Sequence, residues 1–246
     1  MLKKRLIISL TFLDGVLFRT KKFKPDYRYT KNFIDLWSID ELILIDISEN
    51  KFSKKFFEVV EYFSTNCHVP ISVGGGIKSF ENADEYFKLG ADKIILSPSS
   101  ILKEGLIKKI SEKYGNQSII QTIDCLKKDN SFVLMKDSGK NFLSKDIISF
   151  CQKSIEMGVG EILVNNIDND GGLLGYNIDL IKYISEKITN CPILALGGAG
   201  NWQHICDLFK MTDISAACTQ NIFHFTEESI ISAKKFLESN KIKIRN

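Results

Sequence analysis

The sequence predicts a (β/α)8 barrel with an internal twofold repeat, and the first indications are its length and its alternation of strands and helices. The chain has 246 residues, close to the roughly 250 that such a barrel takes, and we expect a single domain over residues 1–246. Eight apolar, β-rich runs alternate with amphipathic stretches, so one unit takes about 31 residues, the length of a strand–helix repeat. Because the runs are almost continuously apolar, we expect a parallel sheet covered on both faces. The count of eight favours a closed barrel over an open doubly wound sheet.

The predicted elements follow one another in the order that a barrel requires. The strands cover residues 5–11, 41–47, 70–73, 93–96, 118–124, 161–165, 192–196 and 214–217. The helices have apolar residues three and four positions apart, which gives each of them one buried face. They cover residues 54–63, 82–89, 101–114, 145–157, 178–188 and 228–237.

The second half of the chain repeats motifs of the first half in the same order. ELILIDI at 41–47 recurs as EILVNNI at 161–167, and SVGGG at 72–76 recurs as ALGGA at 195–199. A third, shorter match follows the glycine motif in each half. Because the motifs recur about half a chain apart, we interpret them as two half-barrels of four strand–helix units each.

The composition excludes several classes of protein. With 44% hydrophobic residues, 26% charged residues and a formal net charge of +3, the chain is neither disordered nor electrostatically suited to nucleic acid. Its apolar runs are far shorter than the ~20 residues of a membrane span. We interpret the apolar N-terminus as a buried strand rather than a signal peptide, because it lacks a small-residue cleavage site.

The use of cysteine and histidine indicates neither a metal site nor a cofactor. None of the six cysteines stands at the C-x-x-C spacing of a zinc or redox site, and the three histidines are scattered. We therefore expect free thiols, no metal, no cofactor and a reducing, cytoplasmic location.

Two glycine clusters follow predicted strands, VGGGIKS at 73–79 and LGGAGNW at 196–202. In a barrel, the ligand-binding groups lie at the C-terminal ends of the strands. Glycine lets the backbone approach a ligand closely, and the following helix directs free N–H groups towards an anion. The clusters predict two phosphate pockets on opposite sides of one mouth. The alternative is that the glycines only make tight turns.

Several polar residues end predicted strands and are candidates for catalysis. Asp46 ends the second strand, Asp124 the fifth and Asn165 the sixth. A carboxylate that is partly removed from water can have a raised pKa, so Asp124 is a candidate general acid or base, or else a cap for the following loop. Its counterpart at the end of the first strand is Thr11, so a symmetrical pair of acids is missing. The segment DNDGG at 168–172 is predicted to be a flexible loop over the second phosphate.

Four charged residues stand at the starts of predicted strands, namely Arg5, Glu41, Lys93 and Glu161. The starts of barrel strands meet at the bottom of the barrel, so these charges are predicted to form a closed ring of ion pairs. The ring is either a plug that stabilises the fold or a gate to an axial passage.

The ordered set of motifs resembles the cyclase subunit of imidazole glycerol phosphate synthase from residue 5 to residue 225 and beyond. The matching segments are DG at 14–15, DEL at 40–42, DI at 46–47, VGGGIK at 73–78, GADK at 90–93, ID at 123–124, GEIL at 160–163, D-x-DG at 168–171, GGAG at 197–200 and FHF at 223–225. The resemblance implies a barrel that receives ammonia from a glutamine amidotransferase docked on its bottom face. It also implies that the ammonia reacts with a bisphosphate at the top.

The resemblance implies roles for individual residues as well. Asp124 matches a catalytic aspartate, Asp46 a supporting one, and Arg19 the lysine of a mobile loop. The family's ammonia gate matches Arg5, Glu41, Lys93 and Glu161, and a position at the partner interface matches Asp92. The phosphate-binding positions match Gly76, Ser97, Asn165, Gly171, Gly198 and Asn221.

The departures from the family lie at the top of the predicted barrel. Thr11 stands where the family has its first catalytic aspartate, and a hydroxyl cannot act as a carboxylate base near neutral pH. Pro98 and Gln220 replace small phosphate-contacting residues, and the loop at 21–30 is shorter and more basic than usual. This combination, with LFRT at 17–20, resembles a side branch of the family that passes ammonia to a sugar-amidation step in bacterial surface-glycan synthesis.

We therefore expect a synthase subunit that works with a glutamine amidotransferase on a phosphorylated or nucleotide-sugar small molecule, without nucleic acid or membrane. One alternative is a true cyclase of histidine biosynthesis, in which Asp124 or a water held by Thr11 replaces the missing acid. Another is a barrel without chemistry of its own, which serves the glutaminase as an ammonia conduit and scaffold.

Overall fold

The computed structural model describes residues 3–29, 38–103, 105–129, 131–220, 222 and 230–245. The strands, in chain order, are β1 (Arg5–Leu13), β2 (Val16–Lys21), β3 (Lys24–Arg28), β4 (Glu41–Asp46), β5 (Ile71–Gly74), β6 (Lys93–Leu96), β7 (Ile119–Lys128), β8 (Ser131–Lys136), β9 (Asn141–Phe142), β10 (Glu161–Asn166), β11 (Ile193–Leu196) and β12 (Ala216–Thr219). The α-helices are α1 (Lys54–Asn66), α2 (Phe80–Lys88), α3 (Leu106–Tyr114), α4 (Ile147–Glu156), α5 (Ile178–Ser185), α6 (Trp202–Met211) and α7 (Ile230–Ser239).

The predicted closed barrel is confirmed. Strands β1, β4, β5, β6, β7, β10, β11 and β12 pair in parallel in that order, and β12 pairs with β1 to close the sheet. The other junction of the two half-barrels is closed in the same way, because β6 pairs in parallel with β7 over residues 94–96 and 119–121.

Alternation along the strands separates an inner face from an outer face of the barrel. Two separate apolar clusters correspond to the two faces. The inner cluster contains Ile7, Ile43, Ile95, Ile120, Leu163, Leu194, Ala216 and Cys218. The outer cluster is much larger and includes Leu42 and Leu44 of β4 together with the buried faces of the surrounding helices. The height of a residue in the barrel therefore follows from its position along its strand.

The first strand of each half-barrel continues into an antiparallel hairpin at the top, which agrees with the twofold repeat. β1 pairs with β2, which pairs with β3, and β7 pairs with β8, which pairs with β9. Asp14 and Gly15 make the first turn with φ values of 50° and 76°, a left-handed conformation that suits glycine and aspartate. The prediction of a loop over 21–30 is wrong in part, because residues 24–28 form β3.

Other differences from the predicted elements have local causes. The helix predicted over 101–114 is interrupted at Gly105, whose φ of 69° separates a short 3-10 helix, Pro98–Leu102, from α3. Helix α6 has no range among the predicted helices, although the phosphate interpretation assumes a helix after the second glycine cluster; Asn201 caps it by accepting a hydrogen bond from the His204 N–H. The last predicted strand, at 214–217, lies two residues too early, since β12 begins at Ala216.

All six cysteines are buried and free. Within the described ranges, no helix has the length and apolar character needed to cross a membrane.

Candidate active site

Four charged side chains form a closed ring at the bottom of the barrel. Arg5 lies with Nη1 2.7 Å from Glu41 Oε1 and with Nη2 2.7 Å from Glu161 Oε1. Lys93 Nζ completes the ring at 3.2 Å from Glu41 Oε2 and 2.7 Å from Glu161 Oε2. Each residue is the first of its strand, in β1, β4, β6 and β10, which places all four at one height. The ring has the composition that the sequence predicts, and its role as a gate stays a prediction.

The buried charges of the ring stabilise one another. Burial alone would lower the pKa of Arg5, but the carboxylates of Glu161 and Glu41 outweigh burial and raise that pKa above its ordinary value. Burial alone would raise the pKa of Glu41, but Arg5 and Lys93 outweigh it and lower that pKa. Arg5 and Glu41 are therefore both charged around neutral pH. The half-exposed Arg245 adds a further positive charge 3.4 Å from Glu41 Oε1.

An apolar layer separates the ring from the top of the barrel. Ile7, Ile43 and Ile95 follow two positions after ring residues on β1, β4 and β6, so their side chains point into the same interior. Cys218 of β12 belongs to this layer, and burial raises the pKa of its thiol, which keeps it protonated. The interior between the two ends of the barrel thus offers a small neutral molecule an uncharged surrounding.

Asp124 faces the interior at the top, and its surroundings change its acidity. The residue is 8% exposed, and burial raises the pKa of its carboxyl to about 7, opposed by hydrogen bonds from Thr122 and Asn165 and aided by the charge of Asp170. The Thr122 hydroxyl donates to Asp124 Oδ2 over 3.4 Å. A carboxyl group that titrates near pH 7 can both give and take a proton at neutral pH, which is what a general acid or base requires.

Thr11 lies on the inner face of β1 near the top, but its hydroxyl is already engaged. It donates a hydrogen bond to the backbone carbonyl of Phe18, the residue that faces it across the β1–β2 hairpin. It also accepts a hydrogen bond of 3.3 Å from Gln220 Nε2. Because its proton is held by a backbone carbonyl, Thr11 acts here as a structural contact between strands rather than as a proton acceptor.

Asp46 does not join Asp124 and Thr11 on the inner face of the barrel. Glu41, Ile43 and Ile45 of β4 point inwards, so Asp46 points outwards, towards the helices. Its carboxylate accepts hydrogen bonds from the Ser48 N–H at 3.0 Å and from the Ser48 hydroxyl at 2.6 Å. The structure therefore gives Asp46 a place that supports the loop after β4, at a distance from the interior.

The glycines of the two clusters are required by the packing of the loops. A Cβ at Gly76, which has a φ of +73°, would lie 2.5 Å from Cβ of Lys51, and one at Gly198 would lie 2.1 Å from the carbonyl oxygen of Gly175. Larger residues would displace the loops that surround the mouth. The structure thus supports the tight-turn interpretation, and phosphate binding by these turns stays a prediction.

The segment at 168–172 that the sequence predicts as a flexible loop is bonded to the first hairpin. Asp170 accepts hydrogen bonds from the Phe23 N–H at 2.9 Å and from the Thr20 hydroxyl at 3.3 Å. A Cβ at Gly171 would lie 2.3 Å from the Thr20 carbonyl oxygen. The β2–β3 hairpin therefore reaches across part of the mouth and rests on the loop that follows β10.

The remaining predicted site residues lie around these features. Ser97 is exposed and starts the 3-10 helix after β6. Arg19 is paired with Asp26 within the β2–β3 hairpin. Asp92 is exposed just before β6 and accepts a hydrogen bond of 2.8 Å from the Ile71 N–H, which joins two strands at the bottom face. Asn221 lies outside the described residues, as does the FHF motif at 223–225.

Two contacts at the top were not predicted from the sequence as parts of a site. Gln220 donates hydrogen bonds to the first hairpin. The sequence indicated only that a glutamine stands where the family has a small residue. The side chain of Lys51 packs against Gly76. Its position in the loop after a barrel strand could have identified it as a candidate site residue. In the part of the chain that the structure covers, no three histidine, cysteine, aspartate or glutamate side chains come together as metal ligands would.

Comparison with known proteins agrees with this geometry. The chain matches the family model described as "Histidine biosynthesis protein" over residues 11–229. It is 38% identical over 207 residues to the imidazole glycerol phosphate synthase subunit HisF of Chlorobium limicola, covering 84% of this chain and 82% of the relative. It is 34% identical to the same subunit of Chlorobium luteolum and 30% identical to that of Streptococcus mutans, in both cases over 100% of the two chains.

Proposed function

The chain belongs to the histidine biosynthesis protein family, and from that premise we propose that it is a HisF-like synthase subunit repurposed for amidation. It takes ammonia from a partner glutamine amidotransferase at the bottom of the barrel. The ammonia passes the ring of Arg5, Glu41, Lys93 and Glu161 and reaches a phosphate-binding site at the top. There it serves the amidation of a sugar in surface-glycan biosynthesis, with a phosphorylated or nucleotide-sugar small molecule as the substrate.

One observation carries this proposal, namely that Thr11 is bonded into the first hairpin while the ring below it is complete. A cyclase that needs two acids has only one in place here, Asp124. The machinery proposed for ammonia does not share this loss, since every one of its four ion pairs is formed and the interior above it is apolar. Loss of one catalytic acid costs about 10²–10⁴ in rate, whereas an ammonia path needs only the ring and the interior.

A second candidate is a true cyclase subunit of imidazole glycerol phosphate synthase. The observation that favours it is Asp124, whose pKa of about 7 suits acid and base catalysis at neutral pH. The names of the relatives favour it equally, because each of those proteins is a HisF subunit. In this candidate one carboxyl group would carry both proton transfers.

The proposal can be tested in extracts of cells that make this protein, supplied with ATP and glutamine labelled with ¹⁵N in its side-chain amide. Mass spectrometry of the nucleotide sugars should show ¹⁵N that is little diluted by unlabelled ammonium in the extract. Extracts without this chain should show no ¹⁵N at the nitrogen that amidation adds to the sugar, and a Lys93→Met variant should show less. Undiminished sugar labelling in the absence of this chain would contradict the proposal.

A further inference from the structure

Three lysines lie at the turn between β2 and β3, and we call Lys21, Lys22 and Lys24 the turn lysines. Lys21 and Lys24 face each other directly across the hairpin, and Lys22 lies in the turn between them. All three are exposed, and among the described residues none of them forms an ion pair. Like charges directly opposite each other destabilise an antiparallel pair. The stability of the hairpin therefore does not account for these residues.

The backbone of the turn is strained as well. Lys22 and Phe23 have φ values of 51° and 63°, a conformation that asparagine and glycine adopt with less strain. The loop after β10 holds the turn in place. The Lys22 N–H donates to the Asp170 carbonyl oxygen over 3.1 Å, and the Phe23 N–H donates to the Asp170 carboxylate over 2.9 Å. The turn lysines are therefore presented from a fixed position over the mouth.

The carboxylates near the turn are engaged elsewhere. Asp26 is the one acid in residues 16–28, and it is paired with Arg19. The Asp170 carboxylate accepts hydrogen bonds from the Phe23 N–H and the Thr20 hydroxyl. A ligand with two or more negative charges would remove the repulsion that the turn lysines exert on one another.

An exposed aromatic ring lies on the same face of the hairpin as two of the turn lysines. Tyr27 pairs with Arg19, two positions before Lys21, so all three side chains point to one side. The other side of the hairpin is turned towards the loop after β10, where Thr20 is buried. Tyr27 is 59% exposed, and it packs against Tyr29 with ring centroids 5.1 Å apart. This face thus presents a supported aromatic ring beside positive charges.

We propose that this face of the β2–β3 hairpin binds the nucleoside diphosphate part of a nucleotide sugar. The turn lysines bind the diphosphate, and the base stacks on the exposed side of Tyr27. Three residues of strand, about 10 Å, separate Lys24 from Tyr27, which leaves room for the ribose between them. The sugar then extends from the diphosphate towards the mouth that the hairpin crosses.

The size of the patch favours a nucleotide over a protein partner. Three cations and one ring can cover a nucleotide, whereas a stable protein interface takes about 20–30 residues a side. The inference rests on the proposed function, because it selects the nucleotide sugar from the two substrate classes that the function allows.

Binding of UDP, GDP and inorganic pyrophosphate tests the inference without a partner protein. Each is titrated into the ¹⁵N-labelled full chain while the backbone amide signals of Lys22 and Tyr27 are followed by NMR. In the wild type, at least one of the two nucleotides should shift both signals in a saturable way and bind more tightly than pyrophosphate. Tyr27→Ala should weaken binding of that nucleotide about fivefold and leave pyrophosphate binding unchanged.

Two double variants that remove the same charge separate the turn from the net charge of the chain. Lys21→Gln with Lys24→Gln should weaken nucleotide binding, measured at the Lys22 signal, by about tenfold or more. This variant removes a repulsion, so we expect it to fold. The control, Lys108→Gln with Lys109→Gln on the exposed face of α3, should change that binding less than about twofold, because salt screens distant surface charges.

Four outcomes would overturn the inference. They are no saturable shift of the Lys22 signal with either nucleotide, pyrophosphate binding as tight as that of both nucleotides, equal losses in the two double variants, and tighter binding of a decaglutamate peptide. The last would assign the face to an acidic protein. The titrations contain no glutamine, ammonia or sugar, so the two proposals fail separately. Nucleotide binding without sugar labelling would contradict only the proposed function, and labelling without nucleotide binding only this inference.

Discussion

The two ends of the barrel differ in how their polar groups are satisfied. At the bottom, Arg5, Lys93, Glu41 and Glu161 satisfy one another within the barrel interior, each from the first position of its strand. At the top, Thr11 and Gln220 are satisfied by the carbonyl of a hairpin that lies outside the barrel. The four ring residues at the bottom are therefore positioned by the strands that carry them, whereas the contacts at the top depend on the loops. A family fold can keep its lower end and acquire a new upper end because these are separate sets of contacts.

The largest effect should come from breaking the ring. In Glu41→Gln, Arg5 and Lys93 each lose a charged partner while they stay buried, so the free energy of unfolding should fall by about 3–5 kcal/mol. Urea unfolding followed by circular dichroism measures this. The control is Glu112→Gln on an exposed helix face, where the partner Lys108 lies 3.9 Å away and the loss should be about 0–0.5 kcal/mol. Equal losses of unfolding free energy in the two variants would show that the buried ring stabilises the fold no more than an exposed ion pair does.

At the top of the barrel, the raised pKa of Asp124 should be visible in the pH dependence of stability. Its pKa is raised from 3.8 to about 7 on folding, so the folded protein binds a proton more tightly than the unfolded chain. Its contribution to stability is thus present below about pH 4 and is lost as the pH rises towards 7, by up to about 4 kcal/mol. Asp124→Asn should remove this loss. In urea unfolding, the free energy of unfolding of the variant should therefore rise relative to that of the wild type between pH 4 and pH 8. A constant difference over that range would contradict the raised pKa.

A smaller effect is expected from restoring an acid at the top. In Thr11→Asp a carboxylate oxygen would face the Phe18 carbonyl, so the free energy of unfolding should fall by about 1–3 kcal/mol at pH 8. Adding Gln220→Ser should give a non-additive result, because both residues bond to the same carbonyl. The four proteins of this double-mutant cycle are compared by urea unfolding, and strict additivity would show that Thr11 and Gln220 are not energetically coupled.

The sequence predicts the bottom of the barrel better than the top, and the reason is geometric. The starts of β1, β4, β6 and β10 coincide with the first residues of the predicted strands, and position along a strand sets height in the barrel. The face of Asp46 could have been predicted in the same way, since it is an odd number of residues from Glu41. The contact between Thr11 and Gln220 could not, because these residues are 209 positions apart in the chain and are brought together only by the pairing of β12 with β1.

The missed elements have related causes. Strand β3, KPDYR, is exposed at every position, so it has no apolar alternation to indicate a strand. Helix α6 follows the second glycine cluster, where the phosphate interpretation assumes a helix, but its bounds were not predicted because Asn201 was not recognised as a helix cap. In both cases the local pattern was weak or had a competing meaning.

The central claim is that ammonia delivery is retained at the bottom while the cyclase chemistry at the top is lost. The most direct test is a cyclase assay on the purified, folded chain with the ribulosyl bisphosphate substrate of the family and excess ammonium salt, so that no partner is needed. We predict no turnover, or turnover at least about 10²-fold below that of a HisF relative assayed beside it. Turnover within about tenfold of the relative would contradict the claim and show that Asp124 suffices beside Thr11.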